Sequence, residues 1–397
     1  MKAPKLQVAL EQHFVEVDGK IYTDVAFDYE YWQQYADVFD RIEPIARVRN
    51  TPRVPEGWVR ADGPNVHFHK IYDYRGFWQF LGSLPRVLND ARRAVREPAP
   101  VLLRMGAVSL FCWPWLWAER RPYAIEATGD IRDGVRDVRN VQYFGLNRLI
   151  AALFHTLYRT HARNAFAGSY VSEYTRAVYP TRSGRNWVFS SVRLGPDAFA
   201  PPRPAEAFTH SPLRLVAVGR LEPEKGHAVL VDAVAELRRR GVDVVCDFVG
   251  PGGELERLRD QAKQRGIGDR VRFHGLVSPG DPLRKHLKGA DMFVLPSFTE
   301  GMPRALIEGM AMGLPAVASN AGGIPELLPA EVLVPPRDHE RLADAIEQLS
   351  ADPERMAAAS RQNLARAKDY SHERMQSLRT AFWHAVASMD PAMPGRP

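Results

Sequence analysis

Short apolar runs alternate with amphipathic stretches through the second half of the chain, and this alternation constrains the fold more than any other sequence feature. The apolar runs predict strands at residues 213–218, 244–249, 271–276, 292–296, 316–319 and 332–334. The stretches between them predict helices near residues 226–240, 253–266, 282–290, 303–313 and 338–350. Because these strands do not alternate apolar with polar residues, both faces should be buried, as in a parallel, doubly wound α/β sheet.

The first half of the chain predicts another α/β layer with less regular spacing. Strands are predicted at residues 6–10, 45–48, 66–69, 101–105, 123–127, 167–171 and 187–190, and helices at 27–39, 76–94, 107–120, 142–164 and 172–178. Five prolines between residues 195 and 212 predict a linker. We therefore expect two domains, residues 1–205 and 206–370. A C-terminal helix within residues 371–397 should then pack on the second domain or cross back to the first.

Composition limits the class of protein. The 397 residues, of which 45% are hydrophobic and 25% charged, supply two cores and argue against general disorder. Cys112 and Cys246 are far apart in the sequence, which excludes a disulfide framework and a cysteine metal site. The N-terminus lacks a signal-peptide core and no apolar run reaches about 18 residues, so we expect a cytoplasmic protein.

The basic excess lies in the first half. The net charge of +6 divides into −5 over residues 1–40, +11 over 41–200 and 0 over 201–397. No nucleic-acid-binding motif accompanies it, so we predict no nucleic-acid partner and favour an anionic membrane surface or a phosphorylated acceptor. The arginines near the Trp-rich run at 111–117 are Arg86, Arg92, Arg93, Arg96, Arg120 and Arg121. The alternatives are an ordinary solvated surface and a Trp-rich helix that packs into the core.

Two candidate ligand sites follow predicted strands of the second half, where parallel sheets bind ligands. In the first, Arg220 and Lys225 lie beside a helix N-terminus, an arrangement that suits a diphosphate. The alternative is that these are surface charges paired with Glu222 and Glu224. In the second, Glu300 precedes a predicted helix. The partial positive charge at the helix N-terminus should keep its carboxylate ionised.

Glu308 lies about one and a half turns inside the helix that follows Glu300. The surrounding residues are apolar, and a buried charge there would need partners. The carboxylate of Glu300 could accept hydrogen bonds from ligand hydroxyl groups. The alternatives are a simple capping carboxylate for Glu300 and an exposed helix face for Glu308.

Five motifs recur in order through the second half of the chain. They are Gly-Arg-Leu-x-x-x-Lys-Gly at 219–226, Phe-Val-Gly-Pro-Gly at 248–252, Phe-His-Gly at 273–275, Leu-Pro-Ser-Phe-Thr-Glu-Gly at 295–301 and Ala-Gly-Gly-Ile-Pro-Glu at 321–326. With Glu308, this succession resembles glycosyltransferase family 4, the retaining group 1 glycosyltransferases of GT-B fold, over about residues 213–370. The resemblance implies two Rossmann-like domains that face each other across a cleft.

The resemblance also implies roles at a donor site. Arg220 and Lys225 would neutralise the diphosphate of a nucleotide-sugar donor, and Glu308 would accept hydrogen bonds from the ribose hydroxyls. Glu300 would face the donor sugar. The other donor-binding residues that it implies are Gly219 in the diphosphate loop, Gly301 and Met302 through their N–H groups, and Leu276 and Val277 at the base. No metal ion and no cofactor are implied, because cationic side chains and helix dipoles replace the ion.

The first half matches the family less well. The family's glycine-rich turn after the first strand corresponds to residues 17–22, where Gly19 is the one glycine, and we predict that it binds the donor. The family's histidine near the reacting carbon has no counterpart. Asp130 follows the comparable strand, with Glu126 nearby, and we predict that it is catalytic. The alternative is that both are capping and turn residues.

These features predict a retaining, metal-independent, hexosyltransferase-type enzyme. It would move a sugar from a nucleotide diphosphate sugar to an acceptor hydroxyl in polysaccharide or glycolipid assembly. We expect a lipid-linked sugar diphosphate as the acceptor and a peripheral position at the inner membrane face. Two alternatives remain open, namely an epimerase or hydrolase of the same fold that acts on the nucleotide sugar, and a non-catalytic nucleotide-sugar sensor.

Overall fold

Two sheets, one in each half of the chain, organise the structure. The computed structural model describes residues 2–24, 26–130, 132 and 146–390. The strands of the first sheet are β1 Leu6–Val17, β2 Lys20–Thr23, β3 Ile42–Asn50, β4 Val59–Arg60, β5 His69–Tyr72, β6 Val101–Arg104, β7 Ala124–Ala127, β8 Ala167–Tyr170 and β9 Asn186–Val188. The strands of the second sheet are β10 Leu213–Val218, β11 Val244–Val249, β12 Val271–Phe273, β13 Met292–Leu295, β14 Ala316–Ser319 and β15 Leu333–Val334.

Helices pack against both sheets. Those of the first half are α1 Tyr29–Trp32, α2 Gly76–Ala94, α3 Ala107–Ala118, α4 Leu146–Arg163 and α5 Glu173–Val178. Those of the second half are α6 His227–Arg239, α7 Leu255–Gln264, α8 Asp281–Gly289, α9 Arg304–Ala311, α10 His339–Ser350, α11 Pro353–Lys368 and α12 His372–Ala387. Across the described ranges, none of the helices has the length and apolar character that a membrane span requires.

The second sheet is parallel throughout, with the order β12-β11-β10-β13-β14-β15. Strands β11 and β12 therefore lie on one side of β10, and strands β13, β14 and β15 lie on the other side. In parallel sheets, ligands bind at the point where the strand order reverses, which here is between β10 and β13. All six strands lie within their predicted ranges. The prediction missed α11, where Asp352 caps the helix by accepting hydrogen bonds from the N–H groups of Glu354 and Arg355.

In the first sheet, the parallel strands are β1, β3, β5, β6, β7, β8 and β9. At one edge, β2 pairs in the antiparallel sense with β1 and with β4. Strand β1 runs past its predicted end at residue 10 to Val17. Asp18 and Gly19, with φ of 49° and 75°, then make the tight turn into β2. The sequence gives no sign of this extension because three polar residues, Glu11, Gln12 and His13, interrupt the apolar run, and the pairing with β3 shifts register between Ala9 and His13.

Other elements of the first half also differ from the prediction. The helix expected at 27–39 is the single turn α1, followed by a 3-10 turn at Gln33–Tyr35. Residues 36–39 leave the helix because Ala3 and Phe39 form a bridge that leads the chain towards β3. The strand expected at 66–69 begins only at His69. Helix α4 matches the range predicted at 142–164 as far as it is described, and residues 142–145 lie outside the described ones.

Helix α12 crosses back from the second half of the chain to the first sheet. The N–H of His372 donates to the carbonyl of Leu194 at 2.8 Å, at the start of this crossing. Phe382 then packs against Trp187, with ring centroids 5.6 Å apart, and Trp383 packs against Tyr35 at 4.5 Å. The segment before β10 packs on the second domain, where the N–H of Arg203 donates to Ser360 Oγ. The boundary at residues 205 and 206 stays a prediction.

Candidate functional site

The loop after β10 is held tightly against the segment that follows β13. Gly226 has a φ of 67°, and a Cβ built there would stand 2.1 Å from the carbonyl oxygen of Pro296, so a side chain does not fit. The N–H of Phe298 also donates to the carbonyl of Glu224 at 2.8 Å. This packing sets the position of Lys225 relative to the carboxylate that follows β13.

Lys225 and Glu300 form an ion pair at the carboxyl edge of the second sheet. Lys225 Nζ lies 2.7 Å from Glu300 Oε1, and Ser297 Oγ donates to the same oxygen at 2.8 Å. Only 22% of the lysine side chain and 9% of the glutamate side chain are exposed. Solvent therefore screens this pair less than it screens a surface salt bridge. The two residues, 75 positions apart in the sequence, offer one cation and one carboxylate at the same place.

Arg220 is more exposed than Lys225. Its side chain is 68% exposed and donates to Glu224 Oε1 at 3.3 Å. Surface pairing, one of the alternatives above, therefore describes Arg220 in this structure. Beneath it, the buried ring of His227 donates from Nε2 to the carbonyl of Arg220 at 3.2 Å. Burial lowers the pKa of His227 to about 4, so the ring is neutral at neutral pH and holds the loop by a neutral hydrogen bond.

The two domains touch beside this ion pair. A Cβ built on Gly301 would lie 2.3 Å from the carbonyl oxygen of Thr128, just after β7. Nearby, Glu326 of the second domain accepts hydrogen bonds from the N–H groups of Glu173 at 2.9 Å and Tyr174 at 2.7 Å, at the start of α5. A larger residue at position 301 would therefore force the two domains apart.

A cavity of about 900 Å³ opens between the domains at this contact. Its volume falls within the range of sites that enclose small molecules. The second domain contributes Glu300, Gly301, Met302, Arg304 and Glu308 to its lining, and the first domain contributes Tyr31, Arg104, Glu126 and Thr128. Helix α12 adds Arg379 and Trp383. Nowhere in the described ranges do three or more His, Cys, Asp or Glu side chains come together as a metal site.

Glu308 lies on α9 and lines the cavity. Within the part of the chain that the structure describes, its carboxylate forms no hydrogen bond or salt bridge. Burial raises the pKa of Glu308, while Arg304 acts in the opposite direction. A half-buried carboxylate whose oxygens are unused by the protein is well suited to accept hydrogen bonds from two neighbouring hydroxyl groups.

The cavity takes in some of the predicted donor residues and leaves out others. Gly301 and Met302 line it, whereas Gly219, Leu276 and Val277 lie outside its lining. Leu276 is 80% exposed in the loop after β12, and Val277 packs against the core. The loop after β10, which holds Gly219, and the loop after β12, which holds Leu276 and Val277, lie at the same edge of the sheet as Glu300. A ligand longer than the cavity could therefore reach them. The roles predicted for these residues stay predictions.

Asp130 does not line the cavity. It is 9% exposed, and its carboxylate accepts a hydrogen bond from Tyr179 Oη at 2.9 Å and pairs with Arg132. Burial raises the pKa of Asp130, but the hydrogen bonds from Arg132 and Tyr179 outweigh it, so the pKa lies below its ordinary value. These contacts correspond to the capping and turn alternative. Among the described residues that follow β7, Thr128 approaches the second domain, with its carbonyl oxygen next to Gly301.

Gly19 does not line the cavity, and its predicted role in donor binding stays a prediction. It lies in the hairpin turn between β1 and β2, and a Cβ built on it would meet no atom within 4 Å. Its positive φ explains the glycine without a ligand. Gly106, just before α3, packs closely against the middle of β1, since an added Cβ would lie 2.5 Å from Glu11 Cβ.

The basic surface of the first domain is smaller than the sequence suggested. Arg121 is 8% exposed and donates to main-chain carbonyls, including those of Glu97 at 3.1 Å and Ala99 at 3.3 Å. It is a structural residue. Trp117 of the Trp-rich run is 66% exposed, and Trp78 on α2 is 75% exposed, so apolar rings do reach the surface of this domain.

Sequence reasoning missed two polar residues that face the cavity from the first sheet. Arg104 ends β6 and Glu126 lies opposite it on β7, with Arg104 Nη1 3.4 Å from Glu126 Oε1. In the sequence, Glu126 is noted only for its closeness to Asp130. A signal was present, since each is a charged residue at the carboxyl end of an otherwise apolar strand, where parallel sheets bind ligands.

Part of the chain is similar to a known protein family. Residues 202–366 match the family model described as Glycosyl transferases group 1. The chain is 24% identical to Protein CapJ of Staphylococcus aureus over 337 residues, which is 82% of each chain. It is 34% identical over 215 residues to a GDP-mannose-dependent alpha-(1-6)-phosphatidylinositol monomannoside mannosyltransferase of Mycobacterium tuberculosis. That match covers 49% of this chain and 56% of the relative, or about half of its length.

Solved structures match almost the whole chain. Sucrose-phosphate synthase from Thermosynechococcus elongatus superposes with a TM-score of 0.69 at 19% identity, over 96% of this chain and 99% of the other. The HepE protein of Anabaena in complex with UDP-glucose superposes with a TM-score of 0.63 at 17% identity, over 97% and 99%. At these identities the likeness shows the fold alone. It confirms the expected GT-B arrangement of two Rossmann-like domains.

Proposed function

We propose that this chain, whose residues 202–366 match the group 1 glycosyltransferases and whose fold is GT-B, transfers a sugar from a nucleotide diphosphate sugar to an acceptor hydroxyl, with retention of anomeric configuration. The single observation that carries the proposal is the Lys225–Glu300 pair beside the interdomain cavity. Two comparisons support the donor class, since the mannosyltransferase is named for GDP-mannose and HepE was crystallised with UDP-glucose.

Lys225 and Arg220 stabilise the negative charge that grows on the departing diphosphate. Lysine has three N–H donors, so Lys225 can keep its bond to Glu300 while it donates to a phosphate oxygen. Arg220 can turn to the phosphate at little cost, because an exposed pair such as Arg220–Glu224 contributes only about 0.2–1 kcal/mol. We propose that these two cations make a metal ion unnecessary.

Glu308 and Glu300 divide the rest of the donor between them. Glu308 accepts hydrogen bonds from the ribose hydroxyls, which do not change during the reaction, and so contributes to binding. Glu300 accepts a hydrogen bond from the sugar beside the reacting carbon. The bond from that carbon to the phosphate oxygen breaks and a bond to the acceptor oxygen forms on the same face. The acceptor proton passes to the departing phosphate, so no carboxylate nucleophile is needed.

The acceptor in this proposal is a lipid-linked sugar diphosphate used in polysaccharide or glycolipid assembly, with the enzyme bound peripherally to the membrane. Three observations support it. The region 41–200 carries a net charge of +11, and Trp78 and Trp117 are exposed on the first domain. The mannosyltransferase relative is named for a phosphatidylinositol glycolipid. Basic residues near an anionic surface each contribute about 1 kcal/mol before salt screens them.

Incubation with a panel of UDP-, GDP-, ADP- and dTDP-sugars tests the donor class without knowledge of the acceptor. We expect slow release of one nucleoside diphosphate, unaffected by a chelator and lowered about 10²-fold or more in Lys225→Ala. Once an acceptor is found, NMR of the product should show the donor's anomeric configuration. If no nucleotide sugar binds or is hydrolysed, the proposed function is wrong.

Flotation with vesicles tests the membrane part of the proposal separately. The protein should float with vesicles of phosphatidylglycerol and phosphatidylcholine at low salt and be released at high salt. It should not float with phosphatidylcholine alone. A protein that stays at the bottom of the gradient under all conditions would leave the glycosyltransferase standing and point to a soluble acceptor.

A further inference from the structure

The segments that follow β7 and β8 close over the second domain beside the Lys225–Glu300 pair. A Cβ built on Gly301 would lie 2.3 Å from the carbonyl oxygen of Thr128 and 3.1 Å from Val171 Cγ2. Gly301 directly follows Glu300 in the chain. This contact therefore brings the first domain against the main chain next to the Glu300 carboxylate.

Thr128 is open to a ligand at this contact. The residue is exposed and lines the interdomain cavity together with Glu300, Gly301 and Met302. Its carbonyl oxygen packs against Gly301, whereas its hydroxyl group forms no hydrogen bond with any residue that the structure describes. Val171, which also touches Gly301, is apolar. A neutral group that both donates and accepts hydrogen bonds is therefore available beside Glu300.

The position of this hydroxyl group along the cavity indicates which part of a donor it can reach. Glu308, which we assign to the ribose, lies one turn inside α9, and residues 304–308 alone rise about 6 Å along the helix axis. Gly301 and Glu300 precede that helix. A donor whose ribose lies at Glu308 and whose diphosphate lies at Lys225 therefore extends its sugar towards Glu300 and Thr128.

The chemistry of the contact also suits a sugar. Glu300 carries a negative charge that repels an anion, and its Oε1 already accepts hydrogen bonds from Lys225 and Ser297. The hydroxyl groups of a sugar can donate to a carboxylate and accept from a threonine, so they match both sides of the contact. A phosphate, which only accepts at neutral charge balance, would match Thr128 but not Glu300.

We propose that the hydroxyl group of Thr128 binds a hydroxyl group of the donor's sugar from the first-domain side of the cavity. This inference rests on the proposed function and names a further residue for that reaction. Thr128 takes the place predicted for Asp130, which does not line the cavity. Because Thr128 meets Gly301 across the domain interface, both domains hold the sugar, whereas the second domain alone holds the nucleotide.

Thr128→Val tests the hydrogen bond without changing the packing, because it deletes the hydroxyl group and keeps the branched shape. Calorimetry with the full-length protein compares UDP-glucose, GDP-mannose, ADP-glucose and dTDP-glucose, each with its nucleoside diphosphate. We expect the nucleotide sugar that the wild type binds to bind about 3- to 10-fold more weakly to Thr128→Val, as for one lost neutral hydrogen bond. Its nucleoside diphosphate should bind equally to both proteins.

Slow hydrolysis of the same nucleotide sugar, without an acceptor, is the second measurement. Its kcat/KM should fall by about 3- to 10-fold in Thr128→Val and return close to the wild-type value in Thr128→Ser, which restores the hydroxyl group. Thr160→Val is the matched control, since it changes an exposed threonine on α4, and it should match the wild type in both measurements. Thermal unfolding shows which variants fold, and Thr128→Ala replaces Thr128→Val if the latter does not.

Equal affinity of the wild type and folded Thr128→Val for the nucleotide sugar overturns the inference. A loss that is as large for the nucleoside diphosphate alone, or that Thr128→Ser does not restore, also overturns it, because Thr128 would then act through the packing of the domains. If the wild type binds none of the four nucleotide sugars, the proposed function fails and the inference fails with it. The two failures are distinguishable, because only the first leaves donor binding by the wild type intact.

Discussion

The two sides of the cleft are built by different means. On the second domain, main-chain atoms approach positions that only glycine can occupy, as at Gly226 against Pro296 and at Gly322, whose added Cβ would lie 1.7 Å from the carbonyl oxygen of Glu300. On the first domain, side chains form the surface, as in the contact between Arg104 and Tyr31. A site built on the main chain requires a fixed pattern of glycines, whereas a site built from side chains can change its residues without changing the fold.

The largest expected effect lies on the second-domain side. Lys225→Ala should lower kcat/KM by about 10²-fold or more, because it removes one contact to charge that develops in the transition state. Binding of the nucleoside diphosphate alone should weaken less. Steady-state kinetics with the donor identified from the panel, and calorimetry with its nucleotide, measure the two effects.

Lys263→Ala is the matched control, since that lysine is 74% exposed on α7 and forms only a long surface pair with Asp260. It should leave turnover unchanged. Near-normal turnover in Lys225→Ala would remove the observation that carries the proposed function, and the contrast between the two sides of the cleft would lose its mechanistic meaning.

A second prediction separates the two carboxylates of the second domain. Glu308→Ala should weaken binding of the free nucleotide by about 10-fold or more, since hydrogen bonds to a carboxylate are among the stronger ones. Glu300→Ala should leave nucleotide binding nearly unchanged and reduce kcat. Calorimetry with the free nucleotide decides the matter, and equal losses in both variants would contradict the division of roles.

The contrast between the domains also explains how far the sequence could be interpreted. All six strands of the second sheet lie within their predicted ranges, because buried parallel strands are continuous apolar runs bounded by turn residues. Glu300, Gly301, Met302 and Glu308 were predicted as site residues and line the cavity, because glycine spacing and helix starts mark their places. Long contacts such as that between Lys225 and Glu300 follow from the topology of that sheet.

The first domain was harder to interpret for a physical reason. Its partly exposed segments, such as the extension of β1 to Val17, are interrupted by polar residues and have no continuous apolar run. Its cavity residues come from β6, β7 and α12, and no local pattern shows that Trp383 will meet Glu126 and Arg104. Only the crossing of the last helix brings them together.

A third prediction concerns the contact that joins the two sides. Glu326→Ala removes two hydrogen bonds to the N–H groups of Glu173 and Tyr174, so the open arrangement of the domains should become more populated. We expect kcat/KM to fall by about 3- to 10-fold, less than in Lys225→Ala, because no charge in the transition state is affected. Small-angle X-ray scattering should show a larger radius of gyration.

Glu331→Ala, at an exposed position five residues further along the second domain, serves as the control for this contact. It should change neither scattering nor kinetics. If Glu326→Ala and Glu331→Ala give the same radius of gyration and the same kcat/KM, the glutamate contact does not hold the domains together.

The smallest effect is one of stability, and it compares a buried histidine in each domain. Burial lowers the pKa of His161 to about 3 in the first domain and that of His227 to about 4 in the second. Both values lie below about 6.5, the ordinary value expected in the unfolded chain, so protonation favours unfolding. The stability that the neutral rings contribute is complete above pH of about 6.5 and is lost as the pH falls towards 3–4.

His161→Phe should therefore make the first domain less sensitive to acid, by about 2 kcal/mol between pH 7 and pH 5, while the ring still packs against Tyr123 and Trp113. His227→Phe should also reduce acid sensitivity, but it deletes the hydrogen bond to the carbonyl of Arg220 and so should impair turnover, which His161→Phe should not. Thermal unfolding at the two pH values, with exposed His384→Phe as the control, measures the first effect. An unchanged difference in Tm between pH 7 and pH 5 in His161→Phe would show that this ring is not the acid-sensitive group of the first domain.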